Sequence, residues 1–105
     1  MMDWQQEFYE VSEAHGFHDA DRENPYEKIA LIHSELSEAV EELRAGTPYS
    51  YFREDGKPEG VISELADVII RTFDLAEMLN MNLWNAVKVK HQFNKTRPYM
   101  HGKLA

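Results

Sequence analysis

Apolar side chains recur at intervals of three and four residues along most of the chain, and no segment shows a sustained strand-like alternation. This spacing predicts four helices, which cover Asp3 to about Ala14, Pro25 to about Arg44, Pro58 or Glu59 to about Leu79, and a last one that ends near Asn94 or Lys95. Asn24 and Asn82 are suited to cap the second and fourth helices, while Gly16 and Gly46 follow the first two. The fold class is therefore predicted to be all-α, a four-helix bundle.

The third predicted helix is apolar around much of its circumference. One face comprises Val61, Leu65, Val68, Thr72 and Leu79, and Ala66, Ile70 and Phe73 extend it to the side. Such a helix needs cover on more than one side, so part of that cover is expected from another subunit. A homodimer is the simplest assembly. Before this helix, residues 46–58 combine turn-forming residues with three aromatic ones and predict a loop.

The composition of the chain limits the number of domains, the ligands of any metal and the kinds of partner that are expected. A chain of 105 residues with 43% apolar side chains is long enough for one modest core, so a single domain over residues 1–105 is expected. The absence of cysteine leaves oxygen or imidazole ligands for any metal. Neither a long apolar run nor a signal peptide is recognisable, which favours a cytoplasmic protein without a membrane segment. The net charge of −8 argues against long nucleic acid as a partner.

Two acid pairs are the main candidate for chemistry. Glu35 and Glu38 lie three residues apart on the second predicted helix, and Glu64 and Asp67 have the same spacing on the third. This spacing places both acids of a pair on one helical face, beside the apolar stripe of their helix. On the second helix that stripe comprises Ile29, Ile32, Leu36, Val40 and Leu43. If the two stripes pack together antiparallel, four carboxylates converge along one side of the contact.

Four converging carboxylates repel one another unless a cation lies between them, and oxygen ligands suit Mg²⁺ first and Mn²⁺ second. Acids at this spacing are also common on solvated helices, so the pattern alone leaves both interpretations open. A di-iron bundle site is disfavoured because it uses Glu-x-x-His, and the corresponding residues here are Glu38 and Asp67. His33 faces away from the first pair and is interpreted as a surface or packing residue.

The C-terminal region is the only strongly basic part of this acidic chain, and an anionic ligand would be attracted there. The candidates are Lys88, Lys90, His91, Asn94, Lys95, Arg97, His101 and Lys103. Cations near the end of a helix also complement its dipole, which is the alternative explanation. The aromatic residues Trp4, Phe8, Tyr49, Tyr51, Phe52 and Trp84 are able to stack on a nucleobase, although most are expected in the core.

Three segments of the chain resemble the MazG-like nucleotide pyrophosphohydrolases: IHSELSEAVEELRAG, GKPEGVISELADVIIRTFDLAEMLNMNL and VKVKHQFNKTRPYMHGK. The family motif is E-x-x-E, a spacer, then E-x-x-D, often with one more Glu just before the first. Ser34 stands at that preceding position here, which is a departure from the pattern. The resemblance covers about three quarters of the chain and implies a helical bundle that forms dimers or tetramers.

The resemblance also implies a reaction and a set of site residues. The reaction is hydrolysis of a nucleoside triphosphate between the α and β phosphates, giving the monophosphate and pyrophosphate. House-cleaning of the nucleotide pool is the role of some members of the family. Glu35, Glu38, Glu64 and Asp67 would be the catalytic metal ligands for Mg²⁺, or for Mn²⁺ as a substitute. Lys88, Asn94 and Arg97 would bind the phosphates, with Lys95, Tyr99 and His101 as weaker candidates. The alternative is a catalytically silent helical oligomer that binds nucleotide or a protein partner.

Overall fold

A computed structural model describes residues 3–16 and 24–98 of the chain. Its elements are α1 (Trp4–Ala14), α2 (Pro25–Ala45), β1 (Tyr51–Phe52), β2 (Pro58–Glu59), α3 (Val61–Met78) and α4 (Leu83–Lys95). The prediction of a mainly helical protein with four helices is confirmed. Two weaker candidates, Tyr99 and His101, lie outside the described residues, as does Lys103. Within the described ranges, no helix combines the length and the apolar character that crossing a membrane requires.

The helix ends follow local sequence signals. The Asn24 side chain accepts hydrogen bonds from the backbone N–H groups of Tyr26 and Glu27, at 2.9 and 3.4 Å, directly before Pro25. Gly46 ends α2 in the left-handed conformation, with φ 70°. Asn82 caps α4 in the same way as Asn24 caps α2. The predicted extents of α2 and α4 are therefore confirmed to within about one residue.

The start of α3 differs from the prediction. Pro58 and Glu59 pair with Phe52 and Tyr51 in a short antiparallel hairpin, so they are extended and not helical. Gly60 then has φ 101°, and a Cβ atom at this position would collide with a backbone carbonyl of the preceding loop. Only glycine allows the chain to leave the hairpin this way and enter α3. The segment predicted as a plain loop is thus partly a β-hairpin.

The helix α3 lies between α1 and α2, which pack on different sides of it. The fourth helix stands apart: every residue from Trp84 to Phe93 is more than a third exposed. The Gln5 side chain on α1 fixes its starting point, because its amide donates to the Met81 carbonyl at 2.7 Å and accepts from the Leu83 N–H at 3.2 Å. Within one chain, the described part is a three-helix assembly with a projecting fourth helix.

The packing face of α2 is rotated from the one that its apolar stripe predicts. The buried residues of α2 are Lys28, Glu35 and Ala39. Four members of the apolar stripe, in contrast, are between 42% and 55% exposed: Ile29, Leu36, Val40 and Leu43. The two apolar stripes therefore do not pack together within the chain, because α2 turns its mixed face towards α3 and leaves these four residues of its stripe exposed.

Candidate metal centre

The acids of α2 and α3 meet in the structure. One carboxylate oxygen each from Glu35, Glu64 and Asp67 lie within 4.8 Å of one another. Glu38 belongs to the same cluster, since its side chain is hydrogen-bonded to Glu64. The four acids predicted from the two i, i+3 pairs thus form one continuous cluster across the α2–α3 contact.

The rotation of α2 explains this geometry. Glu35 is only 8% exposed, because it lies on the face of α2 that packs against α3. Glu38 lies one turn later and towards the rim, where it is exposed to solvent. On α3, Glu64 is half-buried and Asp67 is exposed, so the cluster grades from a buried inner acid to a solvent-facing edge. A ligand enters such a site from one side only.

Burial and neighbouring acids raise the pKa values of two acids of the cluster, Glu64 and Asp67. Burial raises the pKa of Glu64 from 4.5 to about 7, and its hydrogen bonds with Glu38 and Glu35, together with their charges, act in the same direction. Burial and the charge of Glu35 also raise the pKa of Asp67, while Arg71 and Lys57 oppose that shift. A carboxyl group that holds a proton near neutral pH, as Glu64 does, is poised to exchange it for a cation.

Arg71 is a member of the site that the sequence analysis missed. Its Nε donates to Glu35 Oε1 at 2.9 Å, and both side chains are largely covered, with 31% and 11% exposure. The residue lies four positions after Asp67, on the same face of α3. That spacing is the sequence feature from which Arg71 could have been predicted as a site residue. Its guanidinium compensates one of the buried negative charges and orients the Glu35 carboxylate.

A second group of acids extends the cluster towards the hairpin. Oxygen atoms of Glu42, Glu59 and Glu64 lie within 4.8 Å of one another, so Glu64 belongs to both groups. The group contacts cations as well, since Lys57 Nζ lies 3.2 Å from Glu59 Oε1. An open cleft of about 450 Å³ lies above it, between α2, the hairpin and the start of α3. Neither Glu42 nor Glu59 was predicted as a site residue.

The predicted phosphate-binding residues lie elsewhere, on α4 and just after it. Lys88 Nζ is 5.7 Å from the Trp84 ring, and the Arg97 guanidinium is 5.8 Å from the Phe93 ring, both in cation–π geometry. Asn94 has a buried side-chain oxygen that accepts no hydrogen bond within the described part of the chain. The structure of one chain therefore leaves these groups on a projecting helix, apart from the acid cluster.

A separate aromatic cleft lies on the opposite face of α3 from the acids. Its volume is about 770 Å³, and Trp4, Phe8, Phe73 and Trp84 form much of its wall. Trp4 stacks on Phe8 with ring centroids 5.7 Å apart, and Phe8 contacts Phe73 at 6.1 Å. Of the aromatic residues considered for base stacking, Trp4, Phe8 and Trp84 are brought together, whereas Tyr49 and Phe52 are exposed on the hairpin side.

The chain matches no family model, no curated protein and no solved structure. The resemblance to a known family therefore rests on the sequence motifs alone, and the acid cluster is the structural feature that bears on function.

Proposed function

We propose that this chain is a MazG-like nucleotide pyrophosphohydrolase, which uses Mg²⁺ or Mn²⁺ to hydrolyse a ribo- or deoxyribonucleoside triphosphate to the monophosphate and pyrophosphate. The observation that carries the proposal is the convergence of Glu35, Glu64 and Asp67 within 4.8 Å. These acids come from separate helices and belong to the E-x-x-E and E-x-x-D motifs by which the chain resembles that family.

The donor set fits a hard divalent cation. All the groups are carboxylates, and two of them, Glu38 and Glu64, line an open cleft, which leaves room for water and phosphate oxygens beside a bound cation. The raised pKa of Glu64 reflects mutual repulsion and desolvation, both of which a cation relieves. A bound divalent ion would neutralise the negative charge of the phosphoryl oxygens and lower the pKa of the attacking water.

The chain's own residues have distinct tasks in this proposal. Glu35, Glu38, Glu64 and Asp67 hold the cation, with Glu64 at the centre because it contacts both acid groups. Arg71 forms an ion pair with Glu35 and fixes the direction of its carboxylate. Lys88, Asn94 and Arg97 neutralise and orient the triphosphate, for which the planar guanidinium offers two parallel hydrogen bonds.

Self-association is part of the proposal. Four residues of the α2 stripe (Ile29, Leu36, Val40 and Leu43) and three outer residues of α3 (Ile62, Leu65 and Ile69) are each 42–55% exposed. Among the apolar residues of the described chain, only Ala39 and Ala76 are buried. A homodimer, or a homotetramer built from dimers, covers these surfaces by packing helix against helix.

The second candidate function is a catalytically silent oligomer that binds nucleotide or a protein partner. The Arg71–Glu35 ion pair at 2.9 Å favours it, since a guanidinium occupies one oxygen of a proposed ligand. The two functions differ in turnover: the silent protein would bind a nucleotide without releasing pyrophosphate.

The test is pyrophosphate release from a panel of ribo- and deoxyribonucleoside triphosphates in the presence of Mg²⁺. We expect wild-type protein to release pyrophosphate and monophosphate, and expect Glu38→Gln and Asp67→Asn to lower the rate at least about 100-fold. Glu13→Gln, an exposed acid on α1, is the matched control and retains the wild-type rate. A folded wild-type protein without release from any triphosphate would refute the enzymatic function.

A further inference from the structure

The contact between Arg71 and Glu35 is a covered ion pair inside the acid cluster. The Arg71 Nε donates to Glu35 Oε1 at 2.9 Å, and the two side chains are only 31% and 11% exposed. The ion pair of Arg44 with Glu41, also on α2, has 74% and 70% exposure instead. Water and salt screen a covered pair much less than a surface pair. The guanidinium of Arg71 is therefore a fixed part of the site.

Glu35 is shared between this ion pair and the acids. Its Oε1 accepts the hydrogen bond from Arg71, and the residue also has an oxygen within 4.8 Å of oxygens of Glu64 and Asp67. A carboxylate offers two oxygens, so with one held by Arg71 the other remains for a cation. The guanidinium is permanently charged and has no lone pair. A cation that chelated both oxygens of Glu35 would have to lie against this positive charge.

The charge of Arg71 reaches the second helix of the site as well. It opposes the rise in the pKa of Asp67, which lies one turn earlier on α3. Arg71 therefore acts on one acid from each helix. The open cleft lies on another side of the cluster, where Glu38 and Glu64 line it. The site is thus closed by a positive group at Glu35 and open to solvent at the cleft.

The number of carboxylate oxygens distinguishes two common divalent cations. Ca²⁺ takes six to eight oxygen ligands at about 2.3–2.6 Å and often chelates a carboxylate through both oxygens. Mg²⁺ needs octahedral geometry at about 2.0–2.1 Å and keeps several waters beside one or two carboxylates. Mn²⁺ also suits six oxygen ligands in an octahedron. An inner acid that offers one oxygen, next to a cleft with room for water, fits Mg²⁺ and Mn²⁺ better than Ca²⁺.

We propose that Arg71 sets the metal preference of the acid cluster: by holding one oxygen of Glu35, it limits this acid to coordination through a single oxygen and so favours Mg²⁺ and Mn²⁺ over Ca²⁺. The inference rests on the proposed function and names the residue that selects its cation. Arg71 is a positioning residue, because it acts through Glu35. The ion pair is then part of the metal site and not an obstacle to it.

The test is calorimetric titration of full-length wild type and Arg71→Met with Mg²⁺, Mn²⁺ and Ca²⁺, all at one pH and ionic strength. The quantity of interest is the Kd for Ca²⁺ divided by the Kd for Mg²⁺. We expect this ratio to be at least about 10 in wild type and to fall at least about 10-fold in Arg71→Met, because Glu35 then offers Ca²⁺ both oxygens. A lost positive charge or a weakened fold affects both cations alike and largely cancels in the ratio.

Two further variants separate this role from a merely structural one. Arg71→Lys keeps the charge and a donor for Glu35, and since the contact uses a single N–H, the ratio should stay within about threefold of wild type. Arg44→Met removes the exposed ion pair with Glu41 and should leave the ratio unchanged. Circular dichroism verifies the helix content of each variant, and Arg71→Gln replaces Arg71→Met if the latter does not fold.

A wild-type protein that binds Ca²⁺ as tightly as Mg²⁺, or a folded Arg71→Met with the wild-type ratio, overturns the inference. Pyrophosphate release, measured on the same samples, distinguishes this from failure of the proposed function. Cation preference that depends on Arg71, without release from any triphosphate, leaves the inference standing and refutes the enzyme. Release by wild type together with an unchanged ratio in Arg71→Met refutes the inference alone, and a wild type that binds none of the three cations refutes both.

Discussion

The metal-free protein is expected to lose stability as the pH rises from about 4.5 to 7, because of Glu64. The pKa of this acid is raised from 4.5 to about 7 in the folded chain, so the folded state holds a proton that the unfolded state has released. The stability cost is absent below pH 4.5 and complete above pH 7. A shift from 4.5 to about 7 corresponds to about 3.4 kcal/mol, and solvent screening of this half-buried group reduces it to about 1–2 kcal/mol.

Glu64→Gln removes the charge and keeps a side chain of nearly the same shape. In a chelating buffer at pH 8 we expect the variant to be about 1–2 kcal/mol more stable than wild type, and at pH 4.5 to be equal to it. Urea unfolding at both pH values, at one fixed protein concentration, gives the two differences. Adding Mg²⁺ at pH 8 should reverse the order, because the cation stabilises the carboxylate but not the amide.

The control is Glu13→Gln, for which the same comparison should give no difference at either pH. If Glu64→Gln is no more stable than wild type at pH 8 without metal, the acids do not repel one another as the structure indicates, and the electrostatic argument for a cation site is wrong.

Three further predictions concern stability. Arg71→Met leaves the buried Glu35 charge uncompensated, so without metal it should lower the free energy of unfolding by about 1–3 kcal/mol, and Mg²⁺ should restore part of this in urea unfolding. Gly60→Ala should lower the melting temperature through its steric collision, whereas Gly56→Ala, at φ 88° with open space around it, should cost only about 1 kcal/mol. Gln5→Ala should speed hydrogen exchange at the amide groups between α3 and α4 and leave Mg²⁺ affinity unchanged, since it removes the three hydrogen bonds that fix this turn.

Local structure was predictable from the sequence wherever one residue type decides it. Asn24, Pro25 and Asn82 specify helix starts through hydrogen bonds and a fixed φ, and the structure contains both caps. Pro58 misled the prediction because a proline suits a helix start and a short edge strand equally well. The hairpin that decides between them depends on pairing with residues six or more positions away.

The four acids of the site could be predicted from the sequence, but the residues around them could not. The i, i+3 spacing fixes that Glu35 and Glu38 share a side of α2, whatever that helix packs against. It does not fix which side of α2 meets α3, and the apolar stripe suggested a different one. Arg71, Glu42 and Glu59 enter the site only through that choice of packing face, so they were missed although Arg71 has a suggestive spacing.

The rotation of α2 connects the site with self-association. Turning Glu35 towards α3 buries a carboxylate, which costs free energy unless Arg71 and a cation compensate its charge. The same turn exposes Ile29, Leu36, Val40 and Leu43, whose burial in an interface would contribute several kcal/mol at about 25 cal/mol per Å². The face that would be the core of a monomer is thus exposed, as the proposed self-association requires. If the proposed assembly and cation site exist, a charged substitution in this stripe, such as Leu36→Glu, should therefore prevent assembly and weaken Mg²⁺ binding, although residue 36 is not one of the acids of the cluster. Monomeric variant protein with wild-type Mg²⁺ affinity would show that the two are independent.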